Sequence, residues 1–323
     1  MTRLLLLALF FAAPAYGQVS YDQRPEVRTF IREVAKRHGF VEQELRALFA
    51  RVERVEPILE AIRKPPEPPV WSAYRALFLT DRRIEGGLEF WQAHQAVLER
   101  AEREFGVPVQ VIVAIIGVET FYGRNTGRWR VIDALATLAF DHPPRARFFR
   151  SELEHYLVLA RDNGQDVLSV RGSYAGAMGI PQFMPSSQRA YAVDFDGDGA
   201  IDLLTSTADA IGSVASFLRK HGWQPGAPVQ LKPELSGDAW RAFAGGVEPK
   251  HALSALREAG VLLPEAPSLP GETRAALVDL GSELRVGLRN FYVITRYNRS
   301  ALYAAAVADL AEALRAAPQS PGR

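Results

Sequence analysis

The segment Val107-Pro108-Val109-Gln110-Val111-Ile112-Val113-Ala114-Ile115-Ile116-Gly117-Val118-Glu119-Thr120 is apolar almost all round. A helix without a polar face has to be buried, and this one falls short of the roughly 20 apolar residues of a membrane span. Pro108 suits a helix start, where its missing N–H costs little. The segment therefore predicts a central helix enclosed by others. Glu119 closes it. Apolar surroundings and the negative end of the helix dipole both disfavour the carboxylate, which raises the pKa. A carboxyl group protonated near neutral pH can act as a general acid towards a glycosidic oxygen. Pairing with a cation such as Arg124 or Arg128 accounts for a helix-end Glu equally well.

Before this helix, Val27, Phe30, Ile31, Val34, Phe40, Leu45, Leu48 and Phe49 recur at helical steps. Lys64-Pro65-Pro66-Glu67-Pro68-Pro69 interrupts them as a stiff, non-helical segment. Helical periodicity returns through Trp91, His94, Val97, Leu98 and Ala101, and again over 147–162, 209–221 and 300–316. Between about 225 and 289 the pattern changes to short, partly alternating runs at 229–232, 275–280 and 283–288, punctuated by Pro264, Pro267, Pro270 and Gly271. These predict a small β-containing insertion with one helix near 249–258. The fold class expected is α+β, predominantly α-helical.

The 323 residues carry 38 Lys+Arg against 37 Asp+Glu, without a basic block or aromatic-basic stripe, which argues against nucleic acid as a partner. Arg3, the run from Leu4 to Ala13 and the small residues Ala15 and Gly17 form a signal-peptide pattern over 1–17. The absence of cysteine leaves no disulfide framework, thiol nucleophile or lipid-attachment site, so a soluble periplasmic protein without a membrane anchor after signal cleavage is expected. His38, His94, His142, His155, His221 and His251 show no zinc-hydrolase spacing.

Three further constellations carry chemistry. The segment Gly172-Ser173-Tyr174-Ala175-Gly176-Ala177-Met178-Gly179-Ile180-Pro181-Gln182-Phe183-Met184-Pro185-Ser186-Ser187 offers a backbone that a ligand can approach closely, with amide, hydroxyl, aromatic and Met partners suited to a sugar; tight helix–loop packing is the alternative. Asp194, Asp196 and Asp198 occupy positions 1, 3 and 5 of an EF-hand-like calcium loop, with Gly199 at 6, the Ala200 carbonyl at 7 and Ile201 at 8. Thr205 stands where the bidentate Glu belongs, and a lengthened loop could recruit Asp209 instead. Lastly, Asn290-Phe291-Tyr292-Val293-Ile294-Thr295-Arg296-Tyr297-Asn298 reads first as a final β-strand with core aromatics, and second as a returning segment lining a cleft.

In series, these segments resemble the lytic murein transglycosylase B family. The resemblance rests on Gly117-Val118-Glu119-Thr120, Asp133-Ala134-Leu135-Ala136-Thr137-Leu138, Gly172 through Ser187, Tyr191-Ala192-Val193-Asp194-Phe195, the run from Asp209 to Ala215 and Thr295-Arg296-Tyr297-Asn298. It implies a lysozyme-like core at 107–224 carrying the EF-hand-like loop. An α domain at 18–106 would be joined by the C-terminal helix 299–316, with a small β domain at 225–289 and a cleft-lining segment at 290–298. Glu119 falls on the family's catalytic position. Arg145, Ser173, Tyr174, Met178, Gln182, Phe183, Met184, Tyr297 and Asn298 fall on its substrate-binding groove.

The implied activity is non-hydrolytic cleavage of the β-1,4 bond between N-acetylmuramic acid and N-acetylglucosamine in peptidoglycan strands, leaving 1,6-anhydromuramic acid ends. Calcium would be structural and no organic cofactor is needed. Cell-wall synthesis or remodelling proteins are the candidate protein partners. Two departures stand out: Phe291 replaces an aromatic hydroxyl, and the calcium loop is one residue longer before Asp209. A hydrolytic muramidase and a non-catalytic, calcium-dependent glycan-binding protein are the competing functions.

Overall fold

A computed structural model describes residues 19–63, 70–264 and 269–317. The signal-peptide pattern at 1–17 and the Pro-rich break at 64–69 lie outside them. The chain divides into two compact units, Met1–Arg54 and Val55–Arg323. In the first, α1 (Pro25–His38) begins on a proline and stops at Gly39 in the left-handed conformation, and α2 (Glu42–Phe49) follows. Val27, Phe30, Ile31, Val34, Leu45 and Phe49 are buried, with the Phe30 and Phe49 rings edge-on at 6.0 Å.

The second unit begins with α3 (Glu56–Arg63), α4 (Trp71–Phe78), α5 (Asp81–Ala93), α6 (Gln95–Phe105) and α7 (Val109–Thr120). It continues through β1 (Trp129–Arg130), α8 (Val131–Asp141), α9 (Ala146–Asp162), β2 (Arg171–Gly172), α10 (Pro185–Tyr191) and α11 (Thr207–Lys220). The insertion holds β3 (Gln230–Leu231), β4 (Glu234–Leu235), β5 (His251–Ala252), α12 (Leu253–Glu258), β6 (Val261–Leu262), β7 (Arg274–Asp279) and β8 (Leu284–Gly287). The chain ends on α13 (Arg289–Tyr297) and α14 (Ala301–Ala316).

α7 is the axis of the main core, as its composition requires. Every residue from Val111 to Gly117 is buried. α14 packs along it, and its Ala304, Ala305, Ala306, Ala308 and Ala311 are all buried. α5, α6 and α11 enclose its other sides, and α8 and α9 pair beside them.

The insertion is β-containing, as expected. An antiparallel sheet runs β3-β8-β7-β5, with Leu277 opposite Val286 and Val278 opposite Arg285. β7 is buried on both faces. Ala275 and Leu277 turn to a small core with Leu253, Leu256, Val261 and Val286, while Ala276 and Val278 join the main core. A buried ionic cluster ties the sheet to the helices. Asp309 of α14 accepts from Arg75 of α4 at 2.7 Å and from the Gln230 amide at 2.9 Å, with Arg285 of β8 at 3.9 Å. Arg285 reaches Glu283 at 2.5 Å, and Glu283 also accepts from the Trp71 indole N–H.

The 290–298 segment corrects its first reading: it is a helix, not a strand. Asn290 fixes the start of α13, since its side chain accepts from Gln224 N–H at 2.8 Å and donates to Gln224 and Ala227 carbonyls. Phe291 is fully buried in the main core, so a hydroxyl there would not face a sugar.

One position in α7 can only be glycine. A Cβ at Gly117 would lie 2.7 Å from the Tyr122 ring, which folds back across the helix and bonds Arg83 O at 2.7 Å. Gly117→Ala is therefore expected to lower stability by about 1–2 kcal/mol in thermal melts, because overpacking outweighs the usual helical gain of about 1 kcal/mol from Ala.

Candidate active site

Glu119 stands where α7 ends. The turn that follows is strained: Phe121 and Tyr122 have φ of 52° and 62°. Among the described residues the only other non-glycine with positive φ is Gln182, at 51°. Each such residue costs on the order of 1 kcal/mol, and such strain gathers at functional sites. Thr120 fixes the turn from inside by donating to Ile180 O at 2.8 Å and accepting from Gly123 N–H at 2.9 Å.

The Glu119 carboxyl has an aromatic hydroxyl as its hydrogen-bond partner and, among the described residues, no ion pair. Tyr303 of α14 donates to its Oε1 at 2.6 Å. The Tyr303 and Tyr297 rings stack at 6.5 Å, and Tyr297 donates to Pro181 O at 2.5 Å. Burial raises the Glu119 pKa to about 7, against the lowering effect of the Tyr303 hydrogen bond. Burial, and then Glu119 itself, pushes the Tyr74, Tyr297 and Tyr303 phenols up, so all three are donors throughout the working pH range. The ion-pair alternative for Glu119 is not what forms: Arg124 reaches Glu89 at 3.4 Å and Arg128 lies over the Trp129 ring.

The 172–187 segment is a compact wall. Isolated bridges join Met178 to Gly172 and to Phe183, which turns both side chains inward to 2% exposure. These two expected groove residues back the wall; they do not line it. The Phe183 ring packs at 5.7 Å from Tyr297 and 5.6 Å from Phe217. Ser173 Oγ accepts from Ala175 and Ala177 N–H at 3.3 and 3.0 Å, leaving its own proton for an outside acceptor. Gln182 spends its amide protons on Thr126 O at 3.0 Å and Gly179 O at 2.9 Å, leaving Oε1 to accept. Met184 is half-buried at the start of α10, whose first turn Glu152 holds through Ser186 N–H and hydroxyl.

Tyr174 is 49% exposed, and Asn298 is exposed after α13. Arg145 is exposed too, with its guanidinium 4.4 Å from the centre of the Phe148 ring.

Beside the wall, Asp194, Asp196 and Asp209 bring carboxylate oxygens within 4.8 Å of one another. Asp209, not Thr205, is the residue from the far side of the loop that joins this group. Asp198 stands outside this group, its Oδ1 accepting from Ala200 N–H at 2.8 Å. Asp209 also holds both limbs of the loop, through Phe195 N–H at 2.6 Å and Asp202 N–H at 2.8 Å. The loop abuts the wall where Ile180 N–H donates to Leu203 O at 2.9 Å; a Cβ at Gly179 would strike that carbonyl.

A family model described as the transglycosylase SLT domain matches residues 22–312. The chain belongs to this family. It is a lytic transglycosylase acting on peptidoglycan, with the lysozyme-like fold of the transglycosylase SLT family. It is 42% identical over 308 residues to membrane-bound lytic murein transglycosylase B of Escherichia coli strain K12, covering 91% of this chain and 84% of that protein. The crystal structure of the catenated lytic transglycosylase SltB1 from Pseudomonas aeruginosa superposes with a TM-score of 0.86 at 50% identity, over 91% of this chain and 98% of that one. The Escherichia coli lytic transglycosylase Slt35 in complex with calcium gives 0.83 at 39% identity, over 91% and 93%.

Within this transglycosylase, sequence reasoning missed Tyr303 and Tyr74. An aromatic on an Ala-rich helix reads as core packing, and the Tyr303–Glu119 hydrogen bond spans 184 residues. No local spacing signals it.

Proposed function

We propose that Glu119 is the single acid/base of the reaction, first donating a proton and then taking one back. The observation that carries this is a carboxyl whose pKa burial lifts to about 7, held by Tyr303 at 2.6 Å and with no ion pair among the described residues. Protonated Glu119 gives its proton to the oxygen leaving C1 of N-acetylmuramic acid. The substrate's acetamido oxygen closes on C1 as that bond breaks, which replaces the second carboxylate of ordinary glycosidases. Ser173, with its hydroxyl proton free, and Gln182, with its Oε1 free, are placed here as the groups that hold the acetamido unit. The Glu119 carboxylate then removes the C6 hydroxyl proton, and that oxygen displaces the acetamido oxygen from C1. No water enters, and the product ends in a 1,6-anhydro ring.

The assignment has a pH signature. Cleavage should fall as pH rises through about 7, where Glu119 loses the proton it must donate. Tyr303→Phe removes a hydrogen bond that favours the carboxylate, so this alkaline limb should move to higher pH. A pH–rate profile on isolated glycan strands checks both; an unmoved limb in the variant would show that Tyr303 does not set the proton affinity of Glu119.

The Asp194, Asp196 and Asp209 group fits a hard divalent cation, and a relative's structure contains calcium. Burial pushes the Asp209 carboxyl up and its neighbour Asp196 adds to this, a cost that a cation would remove. Calcium there would supply charge neutralisation to the loop that buttresses Gly179 and Ile180, with no part in the bond-breaking steps. Chelation is expected to lower Tm by about 5–10 °C, the effect of losing a ligand worth roughly 3 kcal/mol; an unchanged melt in excess chelator would remove calcium from the account.

Arg145, Tyr174, Met184, Tyr297 and Asn298 are placed around the same groove, on the motif positions they occupy. The 1–17 pattern, with no helix among the described residues long and apolar enough to cross a membrane, supports export to the periplasm.

A further inference from the structure

The turn that follows Glu119 is held from outside by one residue of another helix. Helices commonly end on a glycine in the left-handed conformation. α7 instead ends on Phe121 at φ 52°, followed by Tyr122 at 62° and Gly123 at 81°. Side chains disfavour this backbone, and residues that carry them keep it only where the surrounding structure over-determines it. Thr120 supplies inner contacts, through Ile180 and Gly123. The outer contacts converge on Arg83, in the first turn of α5.

Arg83 meets the turn at three points. Its guanidinium donates to Gly117 O, the carbonyl that also accepts the Phe121 N–H at 3.1 Å. The same guanidinium lies over two rings, 5.0 Å from the centre of Phe121 and 5.1 Å from that of Phe78. Its backbone carbonyl accepts from the Tyr122 hydroxyl at 2.7 Å. Tyr122 reaches that carbonyl through a slot that glycines leave open: a Cβ at Gly87 of α5 would stand 2.5 Å from its hydroxyl oxygen, and one at Gly117 would stand 2.7 Å from it. Residues 117, 121 and 122 bracket Glu119 in the chain, so Arg83 grips the turn on both sides of the carboxyl.

No carboxylate compensates this placement. Arg83 has no ion pair among the described residues, its Nε is buried without a hydrogen-bond partner, and burial lowers its pKa. Taking a guanidinium partly out of water in this way costs stability, and an apolar side chain would fill the place at less cost. What Arg83 supplies is a donor at the helix-end carbonyl together with a cation over Phe121.

We propose that Arg83 is a positioning residue, which fixes the left-handed turn after α7 and thereby the direction in which Glu119 presents its carboxyl, without itself touching the substrate. The proposal rests on the reading of Glu119 as acid/base, in which one carboxyl must be aimed at two oxygens in succession. A misplacement of about 1 Å can cost about a hundredfold in rate. Tyr303 fixes one carboxyl oxygen from α14; the turn fixes the stretch of chain from which the carboxyl hangs.

The test is steady-state cleavage of soluble glycan strands by variants whose thermal melts show them folded at the assay temperature. Arg83→Met keeps an apolar side chain against the rings and removes the donor and the charge. Its kcat is expected to fall about 10–100-fold, with KM within about twofold of wild type. Arg83→Lys, which restores the charge and one donor without the fork, should recover kcat to within about fivefold of wild type. Tyr122→Phe loses one hydrogen bond of the same lock and should lose about three- to tenfold in kcat. Combined with Arg83→Met it should add little, because both act on one turn. An unchanged kcat in folded Arg83→Met overturns the proposal. So does a raised KM at unchanged kcat, which would make Arg83 a substrate contact, and so does a double variant whose losses multiply in full. Should Arg83→Met not fold, Tyr122→Phe decides, and an unchanged kcat there overturns the proposal as well. Glu119→Gln is assayed alongside: normal cleavage by that variant ends both claims together, whereas an inactive Glu119→Gln beside an unimpaired Arg83→Met ends only this one.

Discussion

Glu119→Gln is expected to reduce release of soluble muropeptides from peptidoglycan by about a thousandfold or more, since acid/base catalysis alone contributes roughly 10²–10⁴ and both proton transfers of the proposed mechanism pass through this residue. The variant keeps the shape of the side chain and an oxygen for the Tyr303 hydroxyl, so it isolates the proton from the packing. It should also be more stable than the wild type at neutral and alkaline pH. The folded carboxyl has a pKa near 7 against 4.5 in a free chain. A raised carboxyl pKa means that the folded protein holds the proton more tightly than the unfolded chain. Stability from that source is complete below about pH 4.5 and is lost as pH rises to about 7. Glutamine cannot ionise and escapes the loss. A gain of about 1–3 kcal/mol at about pH 8, vanishing near pH 4.5, is expected from thermal melts. An equally stable or less stable variant at alkaline pH would mean that the carboxylate is well solvated and its proton ordinary.

The largest effect on stability alone should come from Asp309→Ala. Asp309 and Arg285 side chains are each 4% exposed, and Asp309 also anchors Arg75 and Gln230. Removing one member of a buried charged pair costs about 3–5 kcal/mol, because the other, here Arg285, stays desolvated, while Arg75 can turn to solvent. Arg285 keeps Glu283 at 2.5 Å, which places the loss near the lower end, about 3 kcal/mol. That corresponds to a fall in Tm of roughly 6–10 °C. Asp309→Asn preserves acceptor and shape and should lose less. Since the cluster joins α4 and α14 to strands β3 and β8, proteolysis should then attack the 225–289 insertion before the α7 core. A uniform pattern of cleavage would show that the cluster does not secure the insertion.

What was legible in the amino-acid sequence follows the range over which each feature is encoded. The burial of α7 is a property of consecutive residues, so its enclosure and the unusual position of Glu119 could be read directly. The strands of the insertion were legible for the same reason, in alternation and Gly/Pro punctuation. The segment after residue 289 was not, because a short aromatic-rich run suits strand and helix alike. Asn290 decides between them through contacts with Gln224 and Ala227 that no local pattern contains.

The groove shows a similar division. The glycine-interleaved wall was recognisable as a unit, but the paired bridges through Met178 turn it and Phe183 inward. The strain at Phe121, Tyr122 and Gln182 is equally silent in sequence, since nothing about those residue types announces a left-handed backbone. The sequence put Asp194, Asp196, Asp198 and Asp209 in one acidic loop, and the structure brings three of them, Asp194, Asp196 and Asp209, together. Asp209 joins Asp194 and Asp196 because it is the third residue of α11, whose start Ser206 caps by accepting from the Asp209 N–H.

The central claim is that one carboxyl replaces the usual pair because the substrate supplies its own nucleophile. Digestion of purified peptidoglycan in heavy-oxygen water, followed by mass spectrometry of the muropeptides, tests it most directly. The account predicts products lighter by one water than those of a muramidase, with no heavy oxygen at the muramic acid C1. Reducing ends carrying heavy oxygen would contradict it.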